Sequence, residues 1–430
     1  MTEFAGTTSP RIAPGTAPGT TTGPRPTASI ESRQSWTAAW VTLGLLTVCF
    51  GSTLAVVIGL KPITEDLGTT RQLVALAGAL TWLGTGIGGI VMGPVAERLG
   101  IRLTVIFGAA MIALGLVVSA SGGIRAILVG HALFVGLLGN GALYAPILVY
   151  ISRWFDRRRG TALALIWSGQ YIAGITWPTL FERAMTAYGW RATMVGFAAI
   201  VVVAVPIAAL FLQRPPEPAA AFGFADAGRR RRVLGLRPNT VLAILCAAGF
   251  ACCVPMAIPQ GHLVAFCSDL GIPAAQGAAM LSVLQAGALL SRMAWGWITD
   301  RIGGLLTVLA GSACQALAVA AFLATQNEAA LFAISAIYGL GFSGIIPAYI
   351  VAIRELYPSR EASWRVPTLL FVSMSGMAFG GWFAGALYDD FGFYAPAFAS
   401  GVLFNLFNLA LVGFLVQRQR KAGGLRAALA

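Results

Sequence analysis

Arg292 stands alone in the stretch 270–299, with no other Asp, Glu, Lys or Arg around it. A guanidinium offers a rigid fork of N–H donors that matches a carboxylate through two parallel bonds, so the chemistry it suggests is capture of an organic anion. Other polar side chains recur at helical spacings. Gln285 precedes Arg292 by seven residues and Asn140 precedes Tyr144 by four, so each pair shares one helix face. Gln170 and Tyr171 adjoin each other, with Trp167 close by. Each of these either lines a polar site or ties neighbouring helices together. The two histidines, His131 and His262, are candidates for proton coupling, with His262 also a candidate outer gate. Bonded packing is the competing role for both, and a regular helix puts His131 on the opposite face from Asn140. The six cysteines form no CxxC pair and no cluster with histidine at metal spacing. No metal or cofactor is expected, and all six cysteines read as small core residues.

The elements that must position these groups follow from composition. The chain has 430 residues, 57% hydrophobic and 10% charged, with a mean hydropathy of +0.78. A soluble domain carries about 25% charged residues, so a soluble enzyme is excluded. The charges are bunched, leaving twelve nearly charge-free stretches: 34–60, 72–96, 103–124, 126–152, 160–181, 192–213, 238–268, 270–299, 302–327, 329–353, 366–388 and 391–417. Each is long enough to cross ~30 Å of hydrocarbon as a helix of about 20 residues. Lipid satisfies no backbone group, so helices are required, and the chain reads as an all-α membrane protein. Arg292 then lies about 12 Å of helix from Asp300 at the end of its span, near the midplane. An arginine there costs at least ~2.5 kcal/mol on the mildest scales, so it faces an aqueous cavity or a partner. No acid lies in any of the twelve stretches, which leaves an incoming carboxylate or backbone carbonyls to meet it.

The net charge of +13 is distributed by side. With a cytoplasmic N-terminus, the inner clusters hold 23 Lys/Arg and 9 Asp/Glu, and the outer ones hold 5 and 7. That asymmetry predicts both termini inside, in an inner (plasma) membrane. Clusters such as Arg153 with Arg157 to Arg159, Arg229 to Arg232, and Arg418 with Arg420 and Lys421 suit anionic lipid headgroups, so the bilayer is the partner and nucleic acid is not. Residues 1–35, rich in Thr, Pro, Gly and Ala, have no apolar run of the signal-peptide kind and read as a disordered tail.

The chain is written twice. A linker at 214–238, rich in Pro, Ala and Arg, separates six spans at 36–213 from six at 239–417, with a basic tail at 418–430. After the second span comes Gly93 with Glu97, Arg98, Gly100 and Arg102; after the eighth comes Gly296 with Asp300, Arg301 and Gly303. Each segment is Gly, three residues, an acid, Arg, one residue, Gly, and the two begin 203 residues apart. A six-helix repeat is the signature of transporters that rock two halves around a central site. The paired segments predict an inner-gate latch, an acid and an arginine at a helix end that pair with the neighbouring bundle and release it.

These paired segments, in a six-plus-six chain, resemble the signature of the major facilitator superfamily. The stretch from His262 through Asp269 and Gly271, with Ser291-Arg292 beyond, is similar to the seventh and eighth helices of the monocarboxylate transporters and the oxalate:formate antiporters. Trp154 to Ala162, and Lys61 with Glu65 and Asp66, share that similarity. The resemblance implies alternating-access transport of a small monocarboxylate, its carboxylate held by Arg292, with protons as a possible coupling ion. Two positions depart from those relatives: Ala288 stands where animal relatives carry an Asp, and Ser375 where oxalate exchangers carry a base. A superfamily exporter of drugs or metabolites is the alternative.

Overall fold

The computed structural model describes residues 31–155, 158–215 and 232–421, together with Thr2. Most of the expected N-terminal tail, the middle of the expected linker with Arg229 to Arg231, Arg157, and the last residues of the basic tail lie outside the described residues. The chain is helical throughout its spans: α1 (Arg33–Ile58), α2 (Arg71–Leu99), α3 (Ile101–Ser121) and α4 (Ile124–Ser152). Gly160–Ala209 follows as 50 residues, about 75 Å if unbroken, more than twice the hydrocarbon thickness. It breaks at Gly189 (φ 79°, ψ 162°) into α5 (160–188) and α6 (190–209). The second half supplies α7 (Pro238–Asp269), α8 (Ala274–Ile302), α9 (Gly304–Ala324), α10 (Glu328–Leu356), α11 (Ser359–Phe391) and α12 (Ala395–Lys421). Twelve crossings result among the described residues, so the start of α1 and the end of α12 fall on one face, called here the terminal face; the opposite one is the far face.

Helix ends do not coincide with the charge-free stretches. α5 runs on through Glu182 and Arg183, α11 begins seven residues before position 366, and α1 begins at Arg33, where Ser32 and Ser35 form a capping box. Charges mark where hydrocarbon ends, whereas a helix needs only its own backbone bonds to continue. Two further expectations are corrected. In α4, Gly130–Asn140 is a π-helix, so the angle between His131 and Asn140 is not that of a regular helix. Cys314 is exposed rather than in the core; lipid accepts a thiol as readily as a protein interior does.

The repeat is written into the backbone. Outside the connection before α7, the positive-φ glycines fall into three pairs, each 203 residues apart: Gly68 and Gly271 (φ 56° and 79°), Gly100 and Gly303 (82° and 81°), Gly189 and Gly392 (79° and 81°). Glycine adopts this region most readily, so each pair breaks the helix at an equivalent position in both halves. Gly100 and Gly303 also share ψ (157° and 166°), whereas Gly189 and Gly392 differ (162° and 0°). Close helix approaches repeat at the same offset. A Cβ on Gly136 would lie 2.8 Å from the Thr81 carbonyl oxygen, and one on Gly339 would lie 2.0 Å from that of Leu284. The halves are therefore two six-helix bundles of one design, packed mainly through α2 on α11 and α5 on α8.

Gly339→Ala is expected to force α10 away from α8 and to destabilise the purified protein by about 1–3 kcal/mol. Gly413→Ala, which meets nothing within 4 Å on α12, is expected to leave it unchanged or slightly more stable. Paired thermal melts in detergent check this, and equal melting temperatures would contradict the packing argument.

Candidate functional site

Arg292 projects from α8 into the seam between the bundles. It is half-buried, and its Nη1 donates to the Tyr171 hydroxyl of α5 at 3.1 Å. Its guanidinium carbon lies 5.4 Å from the Tyr171 ring centre. Among the described residues, no carboxylate comes within ion-pair distance of it. A bundle-crossing bond to one neutral hydroxyl leaves most of the fork free to bind an anion.

Beyond Arg292, towards the far face, the bundles enclose a cavity of about 90 Å³. α1 contributes Phe50 and Leu54, α2 Trp82, α5 Gln170 and Gly174, α7 Gln260 and His262, α8 Gln285, and α11 Met377. Gly174 matters because of what faces it: a Cβ there would lie 2.5 Å from Gln285 Cγ. The missing side chain lets α5 approach α8 with the Gln285 amide between them.

The far-face end of this space is shut by an ionic clamp. Arg71, at the start of α2, donates to both oxygens of Asp269 on α7, at 2.5 and 2.7 Å. Lys61 lies 3.4 Å from the same carboxylate. Asp389, at the end of α11, accepts from the backbone N–H groups of Arg71 (3.0 Å) and Gln72 (2.7 Å). Those N–H groups open a helix, where no intrahelical partner exists and the dipole favours an anion. Arg71 also donates to the Tyr394 hydroxyl at 3.0 Å and lies 3.7 Å from the Tyr388 ring centre. His262 joins cavity to clamp. Its Nε2 sits 2.8 Å from the Gly381 carbonyl and its Nδ1 3.0 Å from the Tyr394 hydroxyl. A carbonyl only accepts, so Nε2 carries the proton; in the neutral ring Nδ1 then accepts from Tyr394, whose oxygen accepts from Arg71.

The other sequence candidates are placed as follows. Gln170 and Gln285 line the cavity, and Tyr171 touches Arg292. Asn140 and Tyr144 are buried off the cavity; Tyr144 stacks on Phe50 at 4.4 Å, with Trp167 edge-on to both. No protein group reaches either polar atom of the Asn140 side chain or the Tyr144 hydroxyl. His131 is buried within the first bundle, its Nδ1 near Ser119 Oγ (3.0 Å) and the Ile127 carbonyl (3.1 Å). At the terminal face, Glu97 pairs with Arg153 at 2.9 Å and Arg102 donates to the Leu212 carbonyl, both inside the first bundle. Arg301 lies over the Trp297 ring of its own helix at 3.6 Å, while Gly93, Arg98 and Asp300 make no described polar side-chain contact. Every ion pair and side-chain hydrogen bond described at that face stays within one bundle.

Sequence reasoning missed Arg71 and Asp269 as partners, along with Asp389, Tyr394 and Trp82. One signal was available for the first: an arginine on the side of the protein where basic residues are scarce.

The Major Facilitator Superfamily model matches residues 41–363 and 242–428. Among curated relatives, the MFS-type transporter pynF of Aspergillus niger is 25% identical over 69% of this chain and 68% of its own. Monocarboxylate transporter 13 of Rattus norvegicus is 26% identical over 82% of this chain and 80% of its own. A solved bacterial homolog of the human lysosomal transporter Spinster, inward-facing and occupied, superposes with a TM-score of 0.67 at 16% identity, covering 89% of this chain and 96% of that one. With two six-helix bundles meeting over a central cavity and a family match that spans nearly the whole chain, this is a multi-pass membrane transporter that belongs to the Major Facilitator Superfamily.

Proposed function

We propose that this transporter moves a small organic monoanion of the monocarboxylate type by alternating access, with Arg292 holding the carboxylate. The observation that carries the reading is the state of Arg292: a half-buried guanidinium in the seam whose described hydrogen bond goes to an uncharged hydroxyl on the other bundle. A carboxylate taking both bonds of the fork sits beside Tyr171 and ties α8 to α5, so binding acts directly on the relation between the bundles. The similarity to monocarboxylate transporter 13 agrees with this substrate class. The excess of basic residues on the terminal face supports cytoplasmic termini in a plasma (inner) membrane. The paired segments around Glu97 and Asp300 serve as the inner gate, unlatched while the far face is clamped.

Protons are the coupling ion in this reading, and His262 is their site. A second proton on its ring places an N–H against the Tyr394 hydroxyl and a positive charge beside Arg71, within a cluster that includes Asp269, Lys61 and Tyr388. Like charges repel, so protonation loosens the clamp and favours opening at the far face as pH falls. His131 has its ring bonded to Ser119 and the Ile127 carbonyl inside the first bundle and lines neither the cavity nor the clamp, so this reading assigns it to packing.

Thermal-shift titration of the purified protein tests the anchor. A monocarboxylate present at 100 times its dissociation constant is expected to stabilise by about 2.7 kcal/mol. Arg292→Gln is expected to abolish this while inserting normally, and Arg292→Lys to restore it poorly, lacking the planar fork. Dicarboxylates, whose second charge meets no second base, are expected to bind at least about a hundredfold more weakly. Full carboxylate binding by the Gln variant sinks the reading.

The clamp has its own test. Asp269→Asn leaves the buried Arg71 guanidinium without its carboxylate, so the far face is expected to open, seen as a longer distance between spin labels on the far-face ends of α2 and α11. His262→Gln is expected to flatten the pH dependence of transport without abolishing binding. A pH profile unaltered by that substitution would assign proton coupling elsewhere.

A further inference from the structure

The cavity beyond Arg292 carries information about what lies behind the carboxylate. No Asp, Glu, Lys or Arg lines it. Its walls are largely apolar, with Phe50, Leu54, Trp82 and Met377 on three sides. Of its polar side chains, His262 has both ring nitrogens bonded, and Gln260 donates to the Met256 carbonyl at 3.2 Å. Gln285 differs. It is only 4% exposed, it lines the cavity, and no protein donor reaches its Oε1. A buried amide oxygen without a partner is costly, and a ligand that supplies one recovers that cost.

We propose that this chamber holds the tail of an amphipathic monocarboxylate whose far end hydrogen-bonds Gln285, so that tail length and a terminal hydroxyl set specificity. The proposal rests on the carboxylate reading above. Gln285 and Arg292 share one face of α8, two turns or about 10 Å apart, which a chain of about six carbons bridges between the two side chains. A six-carbon chain reaches further from its carboxylate than the ring of benzoate does, so the chain meets Gln285 and the ring falls short of it. A hydroxyl suits Gln285 because it both donates and accepts, and so meets either end of an amide.

The experiment is a competition series on the purified transporter with acetate, hexanoate, ω-hydroxyhexanoate and benzoate, in the native chain, Gln285→Leu and Arg292→Gln. In the native chain, hexanoate is expected to bind at least about tenfold more tightly than acetate through its buried methylenes. The ω-hydroxyl is expected to add about another tenfold, and benzoate to fall below hexanoate. Gln285→Leu is expected to erase the preference for the hydroxyl while keeping hexanoate, and Arg292→Gln to lose every acid. Hexanoate and its hydroxy form binding no better than acetate to the native chain would overturn the chamber, whatever the variants do; loss of all acids in Arg292→Gln would then show that the anchor survives without it. The converse pattern, binding retained in Arg292→Gln with the hydroxyl preference lost in Gln285→Leu, supports the chamber and removes the anchor.

Discussion

The contact on which the arrangement depends is the seizure of the α2 N-terminus by two carboxylates of the other bundle. Asp389 takes the first backbone N–H groups of that helix, and Asp269 takes the Arg71 side chain. Neither bond is cheap to lose. The N–H groups have no intrahelical partner, and Arg71 is only 6% exposed, so separation of the bundles here requires water to replace both. Close backbone packing reinforces the clamp: a Cβ on Gly385 of α11 would lie 2.9 Å from the Gln72 Cα. The cavity below is closed at this end because these groups are satisfied only together.

The internal repeat explains why the clamp exists on one acid and not its twin. Asp66 and Asp269 are equivalent positions, each two residues before a positive-φ glycine. Asp66 is satisfied inside its own bundle, by Arg191 and by Trp190 Nε1 at 3.1 Å. The hydrogen bond from Arg191, with that from Trp190, holds the Asp66 carboxyl below its ordinary range. The position equivalent to Arg191 in the second half is Tyr394. A phenol cannot neutralise a carboxylate, so Asp269 takes its cations, Arg71 and Lys61, from the first bundle instead. One substitution between the repeats thus converts a local tie into a bond between bundles, and places the Tyr394 hydroxyl where it touches both Arg71 and His262.

Much of the architecture was legible because it obeys one-dimensional rules. Hydropathy located the spans, the Gly93 and Gly296 segments exposed the repeat, and the solitary charge of Arg292 stood out against a charge-free stretch. What was not legible depends on three dimensions. Arg71 and Asp269 are 198 residues apart and belong to different bundles, so no local spacing joins them. Phe50, Leu54 and Trp82 line the cavity with the same residue types that elsewhere face lipid, and hydropathy assigns both environments one value. The π-helical stretch of α4 altered the face count that set His131 opposite Asn140, and Asn140 is buried off the cavity together with Tyr144. Helix lengths were underestimated wherever a helix continued through interfacial charges, as α5 does through Glu182 and Arg183.

The depths of the cross-bundle polar contacts bear on how the two halves move. Arg292 meets Tyr171 inside the spans, and Arg71 meets Asp269 at the far face, while the ion pairs described at the terminal face stay within one bundle. A rocking motion moves the ends of the bundles most and their middle least. In the proposed reading the bond to Tyr171 lies where an anion is held through the cycle with little change in geometry, and the clamp lies where the same rotation breaks it. His262 touches the space between them on one side and the clamp, through Tyr394, on the other. In the cycle proposed above, that position lets one proton weaken a contact at the far face without approaching the anion site, so coupling needs no acid beside Arg292. Ala288, at the position where animal relatives carry that acid, is consistent with the load having shifted to the histidine.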